Sequence, residues 1–406
     1  MKKDVSARER KTRVLMDSQA FDYQTHGGIS RCFAELISHM PADISLHLPL
    51  VETKNIYLKQ KGLAPNRDYY MEYCKGHPTH LKRFWYKLKG NVRSGHWSQW
   101  DRMPRWSLFE TERLLLRKDF DVFHPTYYDT YFLKKIGQKP FVLTVHDMIP
   151  ELYDSIYKFR DHLINKKRKL IPRASHIIAV SERTKWDIVN LLGVAPEKIS
   201  VIYHGVEKTP YIPSSDGNTF GHYILYVGDR NKYKNFSRFI QEVAPVLGNH
   251  PGLLVVCTGK PFSREELRML KDYGVVDRFV HKFVESDSEF LDLYHYALAF
   301  VYPSEYEGFG IPILEAYRAG CPVMLNHASC FPEIAGDAAI YFVFDGSGPS
   351  LQEQLVSLLA WTPAQRQAHI TLQNERLRLY SWEKAAQDLA EVYRKVAKES
   401  ISGNLK

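Results

Sequence analysis

The sequence contains 406 residues, of which 44% are apolar and 25% are charged, and this length and composition indicate a globular protein of two or three domains. A chain of this size excludes a small disulfide scaffold or a lone zinc module. The net charge of +9 is uneven: residues 1–200 carry 35 Lys and Arg against 22 Asp and Glu, whereas residues 201–406 carry 20 against 24. This asymmetry suggests two domains with different partners, although an accident of composition would look the same.

The sequence contains no pattern typical of export or membrane spanning. The first residues are basic but lack an apolar core, so they predict no signal peptide. The sequence contains no run of about 18 apolar residues, so no transmembrane helix is predicted. Five scattered cysteines without a CxxC pair fit a reducing compartment, and we therefore expect a cytoplasmic protein.

The first half of the chain alternates short apolar runs with helical patterns. The predicted strands lie at 14–16, 44–50, 120–124, 141–146, 176–180 and 199–203. The predicted helices follow a glycine turn at 27–28, occupy 152–170, and begin at 182 behind an N-cap residue type, Ser181. A segment rich in Pro, Ser and Gly at 208–218 then predicts a linker.

The second half repeats the alternation. Its predicted strands lie at 223–227, 253–258, 279–283, 299–302, 322–325 and 340–344. Its predicted helices lie at 236–247, 264–273, 289–297, 310–320, 350–360, 363–379 and 381–398. The sequence therefore predicts two α/β domains with parallel sheets, and a cleft between them where ligands bind beyond the carboxyl ends of the strands.

The most informative motif spans 304–316, after a predicted buried strand. Gly308 and Gly310 allow close backbone approach and open a helix, whose N-terminus favours an anion such as phosphate. Glu307 precedes this helix and Glu315 lies inside it, so the two carboxylates can bind different hydroxyls of one extended ligand. The alternative is a capped helix with two solvated glutamates.

Two further motifs follow predicted strands. Arg230 and Lys234 are close enough in sequence to clamp one diphosphate, although a basic surface turn would have the same residues. His146 could bind a sugar hydroxyl or receive a proton, with Asp147 orienting it or binding an acceptor, although a lone histidine at a strand end is often structural.

The known cofactor and metal motifs are missing from the sequence. The glycines at 27–28 are not part of a GxGxxG pattern, and no Walker lysine or HExxH pattern occurs. Asp119 and Asp121 form a DxD pair, but they precede a predicted strand and are interpreted as structural. A diphosphate leaving group would then need protein cations rather than Mg²⁺, so no metal and no cofactor beyond a donor substrate is predicted.

Taken together, these residues resemble the retaining glycosyltransferases with the GT-B fold known as family 4. The resemblance covers nearly the whole chain. It depends on the Glu307-x7-Glu315 block, Arg230 with Lys234, and His146-Asp147. It also depends on the glycines at 27–28, on His204-Gly205-Val206, and on a closing helix around Trp382. The stretch from Thr144 to Pro150 is most similar to mannosyltransferase-type members.

The resemblance implies the GT-B fold, with two Rossmann-like doubly wound domains and a cleft between them. It implies an acceptor-binding domain at 1–207, a nucleotide-sugar-binding domain at 208–380, and a helix at 381–406 that crosses back to the first domain. It also implies metal-independent transfer of a hexose from a GDP- or UDP-type donor to a glycan or lipid-linked acceptor, with retention at the anomeric carbon.

The same resemblance implies a role for each candidate residue. Arg230 and Lys234 would stabilise the departing diphosphate, Glu307 would contact the donor sugar, and Glu315 would hold the ribose. His146 would lie at the reacting centre, and Asp147 would contact the acceptor. The remaining donor-binding residues would be Gly28, Val284, Gly308, Phe309 and Gly310.

A basic and aromatic stretch at 75–118 departs from the family pattern. Between residues 75 and 105, Asp101 is the one acidic residue. Its basic residues are Lys82, Arg83, Lys87, Lys89, Arg93, Arg102 and Arg105, and its aromatic residues are Trp85, Tyr86, Trp97, Trp100 and Trp106. Such a stretch suits an anionic membrane surface at the inner face of a membrane, where a lipid-linked acceptor would reside, but it equally suits a solvated basic surface.

Other classes remain open at this point. The basic first half would allow a nucleic-acid-binding protein, which leaves the glutamate block unexplained. Another GT-B enzyme, such as a nucleotide-sugar epimerase or a glycan phosphorylase, is the second alternative. The phosphorylase would need a pyridoxal-phosphate lysine, which the sequence does not identify.

Overall fold

The computed structural model describes residues 10–66, 106–153, 160–209, 211–230 and 232–403. These residues form twelve strands: β1 Thr12–Met16, β2 Ile44–His47, β3 Val122–His124, β4 Val142–Val145, β5 His176–Ala179, β6 Ile199–Val201, β7 Tyr223–Tyr226, β8 Leu254–Cys257, β9 Phe279–His281, β10 Ala299–Tyr302, β11 Val323–Asn326 and β12 Ile340–Phe342. The α-helices of the first half are α1 Gln19–Tyr23, α2 Gly28–Ser38, α3 Ile56–Gln60, α4 Trp106–Arg117, α5 Ile149–Leu152, α6 Arg160–Leu170 and α7 Glu182–Leu192. Those of the second half are α8 Phe236–Asn249, α9 Arg264–Asp272, α10 Asp287–Tyr296, α11 Ile311–Arg318, α12 Phe331–Ala335, α13 Leu351–Leu359, α14 Pro363–Leu377 and α15 Trp382–Ile401.

All strand pairs of the described residues are parallel, as the alternation of strands and helices predicts. The second half forms one six-stranded sheet of order β12-β11-β10-β7-β8-β9. The first half forms two three-stranded sheets, β2-β1-β3 and β4-β5-β6, and an isolated parallel bridge between Phe123 and Phe141 joins β3 to β4. Strands β4, β5, β7, β10 and β11 are buried throughout, as expected for parallel strands covered by helices on both faces.

The strand orders determine where ligands can bind. In the second sheet, successive strands are added on one side of β7 as far as β9, and then on its other side from β10 to β12. The order of strand addition therefore reverses between β7 and β10. In the first half, the same reversal occurs between β1 and β3. Open α/β sheets bind ligands in the crevice at the carboxyl ends of the strands at such a reversal. The segments that follow β7 and β10 therefore form the expected binding edge of the second half.

Local sequence signals account for several helix ends. The prediction that Ser181 is an N-cap is confirmed, because its side chain accepts a hydrogen bond from the amide of Thr184, and α7 then ends at Gly193, which has a φ of +64°. The prediction of one helix over 152–170 is confirmed for residues 160–170, which form α6, and is wrong at its start. Helix α5 ends at Leu152, and the next residue, Tyr153, has an extended backbone, which ends the i to i−4 bonding there.

The last helix packs on the first half of the chain. Trp382, Leu389 and Tyr393 of α15 are buried in the same apolar core as Val14 of β1 and Phe33 of α2. The chain crosses from the first half to the second near Val206 and returns to the first half near Ser381. These two crossings are adjacent, because Val206 and Ser381 form a parallel bridge. A Cβ atom on Gly205 would lie 2.2 Å from the backbone nitrogen of Trp382, so only glycine allows these two passages to approach so closely.

Much of the basic and aromatic stretch predicted at 75–118 lies outside the described residues. The described part is α4, in which Phe109 and Leu116 are exposed. Among the described ranges, no helix combines the length and the apolar character that a bilayer crossing requires.

Candidate active site

Lys234 and Glu307 meet at the reversal point of the second sheet. Lys234 follows β7 and Glu307 follows β10, and Lys234 Nζ donates to Glu307 Oε1 at 2.7 Å. Ser304 Oγ donates to the same carboxylate oxygen at 2.9 Å, and Ser329 Oγ lies 3.1 Å from the Glu307 amide, from which it accepts. Both charged side chains are about 12–13% exposed, so the pair is largely removed from solvent. The sequence predicted both residues, but Ser304 and Ser329 carried no recognisable signal.

Gly308 brings the second half against the strand end of β4. A Cβ atom on Gly308 would lie 1.8 Å from the carbonyl oxygen of His146 and 3.2 Å from the Asp147 side chain. Ser181 Oγ donates to the Gly308 carbonyl at 2.6 Å, which fastens the loop to the start of α7. The structure therefore brings the predicted His146 and Gly308 together, and the glycine is required by this contact.

Burial keeps the His146 imidazole neutral. The residue is 8% exposed, and desolvation, with smaller effects from His124 and Lys167, lowers its pKa to about 3. Its ring lies 6.3 Å from the ring of His204 and 5.9 Å from that of Phe33, and its amide donates to Tyr128 Oη at 3.1 Å. Among the described residues, no group hydrogen-bonds to its Nε2 atom. A buried ring nitrogen without a partner is rare in folded proteins, which makes His146 Nε2 a candidate for a hydrogen bond to a ligand hydroxyl.

Asp147 has structural partners in addition to its predicted acceptor role. Its carboxylate accepts from the amide of Ile149 at 3.1 Å, and Lys167 Nζ lies 3.7 Å from it. The buried Lys167 also donates to the Asp147 carbonyl at 2.7 Å and to Glu151 at 3.2 Å. These bonds hold the loop after β4 in place, and acceptor binding by Asp147 stays a prediction.

Arg230 has different partners from Lys234. Its Nε atom donates to Glu266 Oε1 at 2.8 Å, and its terminal nitrogens donate to the carbonyls of Thr258, Lys260 and Pro261. The side chain is 3% exposed, and its guanidinium lies 4.9 Å from the ring centre of Phe262. The structure thus anchors Arg230, which follows β7, to the loop after β8. The prediction that it clamps a diphosphate together with Lys234 stays a prediction.

Two helices with glycine at or just before their first residue, α2 and α11, meet beside these residues. Gly310, with a φ of +95°, caps α11, and Ile311 of α11 lies 3.6 Å from where a Cβ atom on Gly28 of α2 would stand. That distance is an ordinary contact, so the packing does not itself demand glycine at residue 28. Within these helices, Arg31 Nη1 of α2 donates to Glu315 Oε1 of α11 at 2.5 Å. The sequence predicted Glu315 but carried no signal for Arg31.

The remaining candidates, Phe309 and Val284, have structural contacts. The ring of Phe309 packs on that of His204 at 4.6 Å, and its carbonyl accepts from Cys330 Sγ at 3.2 Å, so donor binding by Phe309 stays a prediction. Val284 packs on the core of the second half, next to Phe283, which is 70% exposed. The role of Val284 in binding a base stays a prediction.

The described residues contain no cluster of three or more His, Cys, Asp or Glu side chains that could hold a metal ion. The Asp119 and Asp121 pair is engaged with Arg13, whose guanidinium lies 3.2 Å from Asp121 Oδ1 and also contacts Asp119. This contact agrees with the structural interpretation of the pair.

Two family models match the chain. Glycosyltransferase Family 4 matches residues 73–209, and Glycosyl transferases group 1 matches residues 212–369. Among curated proteins, the O-antigen chain mannosyltransferase RfbU of Salmonella typhimurium is 31% identical over 223 residues, which are 52% of this chain and 62% of that protein. The O-antigen chain mannosyltransferase B of Escherichia coli is 27% identical over 243 residues, which are 55% of this chain and 61% of that protein. The chain thus spans about three fifths of these relatives' length.

Solved structures share the fold over almost the whole chain. Anabaena Alr3699/HepE, crystallised with UDP and glucose, gives a TM-score of 0.64 at 15% identity and covers 94% of this chain and 99% of its own. Sucrose-phosphate synthase of Thermosynechococcus elongatus gives a TM-score of 0.63 at 17% identity, with coverage of 95% and 99%.

The sheets and the solved neighbours define the fold as GT-B, with two Rossmann-like halves. Within that class, residues 212–369 match the group 1 glycosyl transferases, residues 73–209 match family 4, and the chain is similar to mannosyltransferases.

Proposed function

We propose that the protein is a retaining, metal-independent glycosyltransferase. It moves a hexose of the mannose type from a GDP- or UDP-type donor to a glycan or lipid-linked acceptor during synthesis of a surface polysaccharide. The support comes from the curated relatives, which are named as O-antigen mannosyltransferases, and from the group 1 match over the second half. No nucleic acid and no cofactor takes part in this reaction, and we place the enzyme in the cytoplasm.

The observation that carries the proposal is the Lys234–Glu307 pair at the reversal point, 2.7 Å apart beside the N-terminus of α11. A leaving nucleotide diphosphate gains negative charge as the sugar bond breaks. An ammonium group already fixed beside that position stabilises this charge without reorganisation, and the amides at the start of a helix add to the effect. Glu307 is then positioned to accept hydrogen bonds from the donor sugar.

His146 acts in this proposal as a neutral hydrogen-bonding group. With its pKa lowered to about 3 by burial, it carries no charge at pH 7. Its Nε2 atom can bind a hydroxyl of the donor sugar near the anomeric carbon. The carboxylates of Glu307 and Asp147 are held by Lys234 and Lys167, so neither is offered as a nucleophile, and transfer on one face of the sugar is the mechanism we propose.

The acceptor is proposed to reach the first half from an anionic membrane surface. The support is the excess of 13 positive charges in residues 1–200, much of it in the stretch at 75–118. Co-sedimentation with vesicles of anionic and of zwitterionic lipid, at low and high salt, tests this part. Binding only to anionic vesicles that weakens with salt is expected, and equal recovery with both vesicle types would remove the membrane from the proposal.

A donor panel tests the reaction itself. The protein is incubated with GDP-mannose, UDP-glucose and related donors, with and without acceptor, and with or without EDTA, and released nucleotide is measured. Acceptor-dependent release that persists in EDTA is expected, and the anomeric coupling of the product reports retention. Nucleotide release without any acceptor would favour an epimerase. Formation of a sugar 1-phosphate from glycan and inorganic phosphate, with no nucleotide released, would favour a phosphorylase.

A pair of lysine variants adds a matched control. Lys234→Ala removes the proposed phosphate-binding charge, whereas Lys384→Ala removes an exposed helix-surface lysine that pairs with Asp388. We expect turnover to collapse in the first variant and to stay near that of the wild type in the second.

A further inference from the structure

An ion pair joins the two halves of the chain beside the proposed donor site. Arg31 is the fourth residue of α2 and Glu315 the fifth residue of α11. Arg31 Nη1 donates to Glu315 Oε1 at 2.5 Å, and the two side chains are 22% and 12% exposed. The bond therefore lies where two helices from different halves face each other, largely away from solvent.

The surroundings orient both partners of this pair. The Arg31 guanidinium lies 6.0 Å from the ring centre of Tyr57 in α3, which belongs to the first half. On the opposite side, Tyr294 Oη donates to the other carboxylate oxygen of Glu315, Oε2, at 3.5 Å. The first half thus fixes the arginine, and the arginine fixes the direction in which the carboxylate points.

The bonding leaves the carboxylate with free acceptor capacity. An ionised carboxylate has about four lone-pair positions on its two oxygens, and Arg31 uses one of them on Oε1. The long contact from Tyr294 takes part of Oε2. The carboxylate therefore keeps lone-pair positions that can accept hydrogen bonds from two neighbouring hydroxyl groups. The two hydroxyl groups of a ribose need two such acceptor positions.

We propose that Arg31 is a positioning residue that prepares Glu315 to recognise the ribose of the donor nucleotide. This inference deepens the proposed function and rests on it. Because Arg31 comes from the first half and Glu315 from the second, the ribose site is complete only while the two halves are together. Nucleotide recognition is then coupled to closure of the cleft through one side chain.

The inference predicts that Arg31 affects the preference of the protein for a ribonucleotide over its deoxy analogues. An ion pair that only stabilised the fold would leave this preference unchanged. A carboxylate held in one direction offers two hydrogen bonds to a diol, whereas a carboxylate free to rotate pays entropy for each bond. Loss of Arg31 should therefore weaken binding of the ribonucleotide more than binding of an analogue that lacks one of the two hydroxyls.

Titration calorimetry with GDP and UDP, and with their 2′-deoxy and 3′-deoxy analogues, tests the inference on the full-length chain. The wild type should prefer a ribonucleotide over its deoxy analogues by about tenfold or more. Arg31→Ala should reduce this preference to about twofold, and Arg31→Lys should keep part of it, since it retains the charge but not the fork. Arg394→Ala, which removes a half-buried arginine paired with Asp43 away from the proposed donor site, is the matched control and should keep the full preference.

The outcomes separate this inference from the proposed function. A wild type that binds neither nucleotide would overturn the proposed function and the inference with it. A wild type that prefers ribose, together with an Arg31→Ala variant that keeps the same preference, would overturn the inference alone. If Arg31→Ala does not fold, Arg31→Gln, which keeps a long polar side chain without the charge, takes its place with the same expectation.

Discussion

Replacement of Gly308 by alanine gives the sharpest test of the contact between the two halves. The new methyl group would stand 1.8 Å from the carbonyl oxygen of His146, whereas real Cβ atoms essentially never lie closer than 3.0 Å to such an atom. The loop after β10 and the loop after β4 must therefore move apart by at least about 1.2 Å. Neither loop can yield easily, because Ser181 holds the Gly308 carbonyl at 2.6 Å and Lys167 holds the Asp147 carbonyl at 2.7 Å.

The displacement separates groups that the proposed reaction needs in one geometry. His146 and Glu307 would no longer contact the same donor sugar, and a misplacement of about 1 Å can cost on the order of 100-fold in rate. Overpacking of this kind also costs about 1–3 kcal/mol of stability. We therefore expect kcat/KM for acceptor-dependent nucleotide release to fall about 100-fold in Gly308→Ala, while the variant still folds.

A second glycine provides the control for this experiment. Gly248 lies near the end of α8, has no left-handed backbone, and would have no atom within 4 Å of an added Cβ. Gly248→Ala should leave turnover unchanged and raise the free energy of unfolding by up to about 1 kcal/mol. Activity within threefold of the wild type in Gly308→Ala would refute the claim that this contact sets the site geometry.

Three further predictions concern stability and charge. Arg230→Ala should lower the free energy of unfolding by about 3–5 kcal/mol, because it leaves the carboxylate of Glu266 without its charge partner; a denaturation midpoint equal to that of the wild type would contradict this. Gly205→Ala should destabilise the crossing beside Trp382 and lower the melting temperature, and an unchanged melting temperature would show that the two chain passages can separate freely. Acid should destabilise the protein, because burial lowers the pKa of three histidines to about 3, so that between about pH 6.5 and pH 3 the unfolded chain binds protons that the folded chain does not. These three histidines alone should make the free energy of unfolding fall with decreasing pH by up to about 4 kcal/mol per pH unit, and His176, whose pKa is lowered to about 4, adds to the fall; denaturant curves that coincide at pH 6.5 and pH 5 would exclude it. These three histidines are His124, His146 and His204.

The alternation of strands and helices was predictable because burial on both faces leaves a strong signal. Parallel strands such as β4 and β10 are continuous apolar runs, and their positions in the sequence match the structure closely. The short helices α1, α3 and α12 were not predicted, since five residues hold less than two turns of periodicity. The break before α6 was also missed, because no proline or glycine marks Tyr153.

The candidate site was predictable where chemistry is carried by a local motif. Glu307 and Gly308 stand together in sequence, and the structure places them beside Lys234 and His146. The partnership of Arg31 with Glu315 spans 284 positions along the chain, and no local pattern reports such a contact. The anchoring of Arg230 was likewise invisible, because three of its four acceptor groups are backbone carbonyls, which every residue type possesses.

The packing of α15 on the first half has a consequence for how the chain is made. The core around Val14 and Phe33 includes Trp382 and Tyr393, so it is assembled from residues at opposite ends of the sequence. During synthesis, the N-terminal residues leave the ribosome long before the helix that completes their core. The second half, whose core lies almost entirely between residues 223 and 380, can close first. The core around Val14 and Phe33 therefore stays incomplete until residues 382–401 emerge, whereas the other core of the first half needs no residue beyond 201.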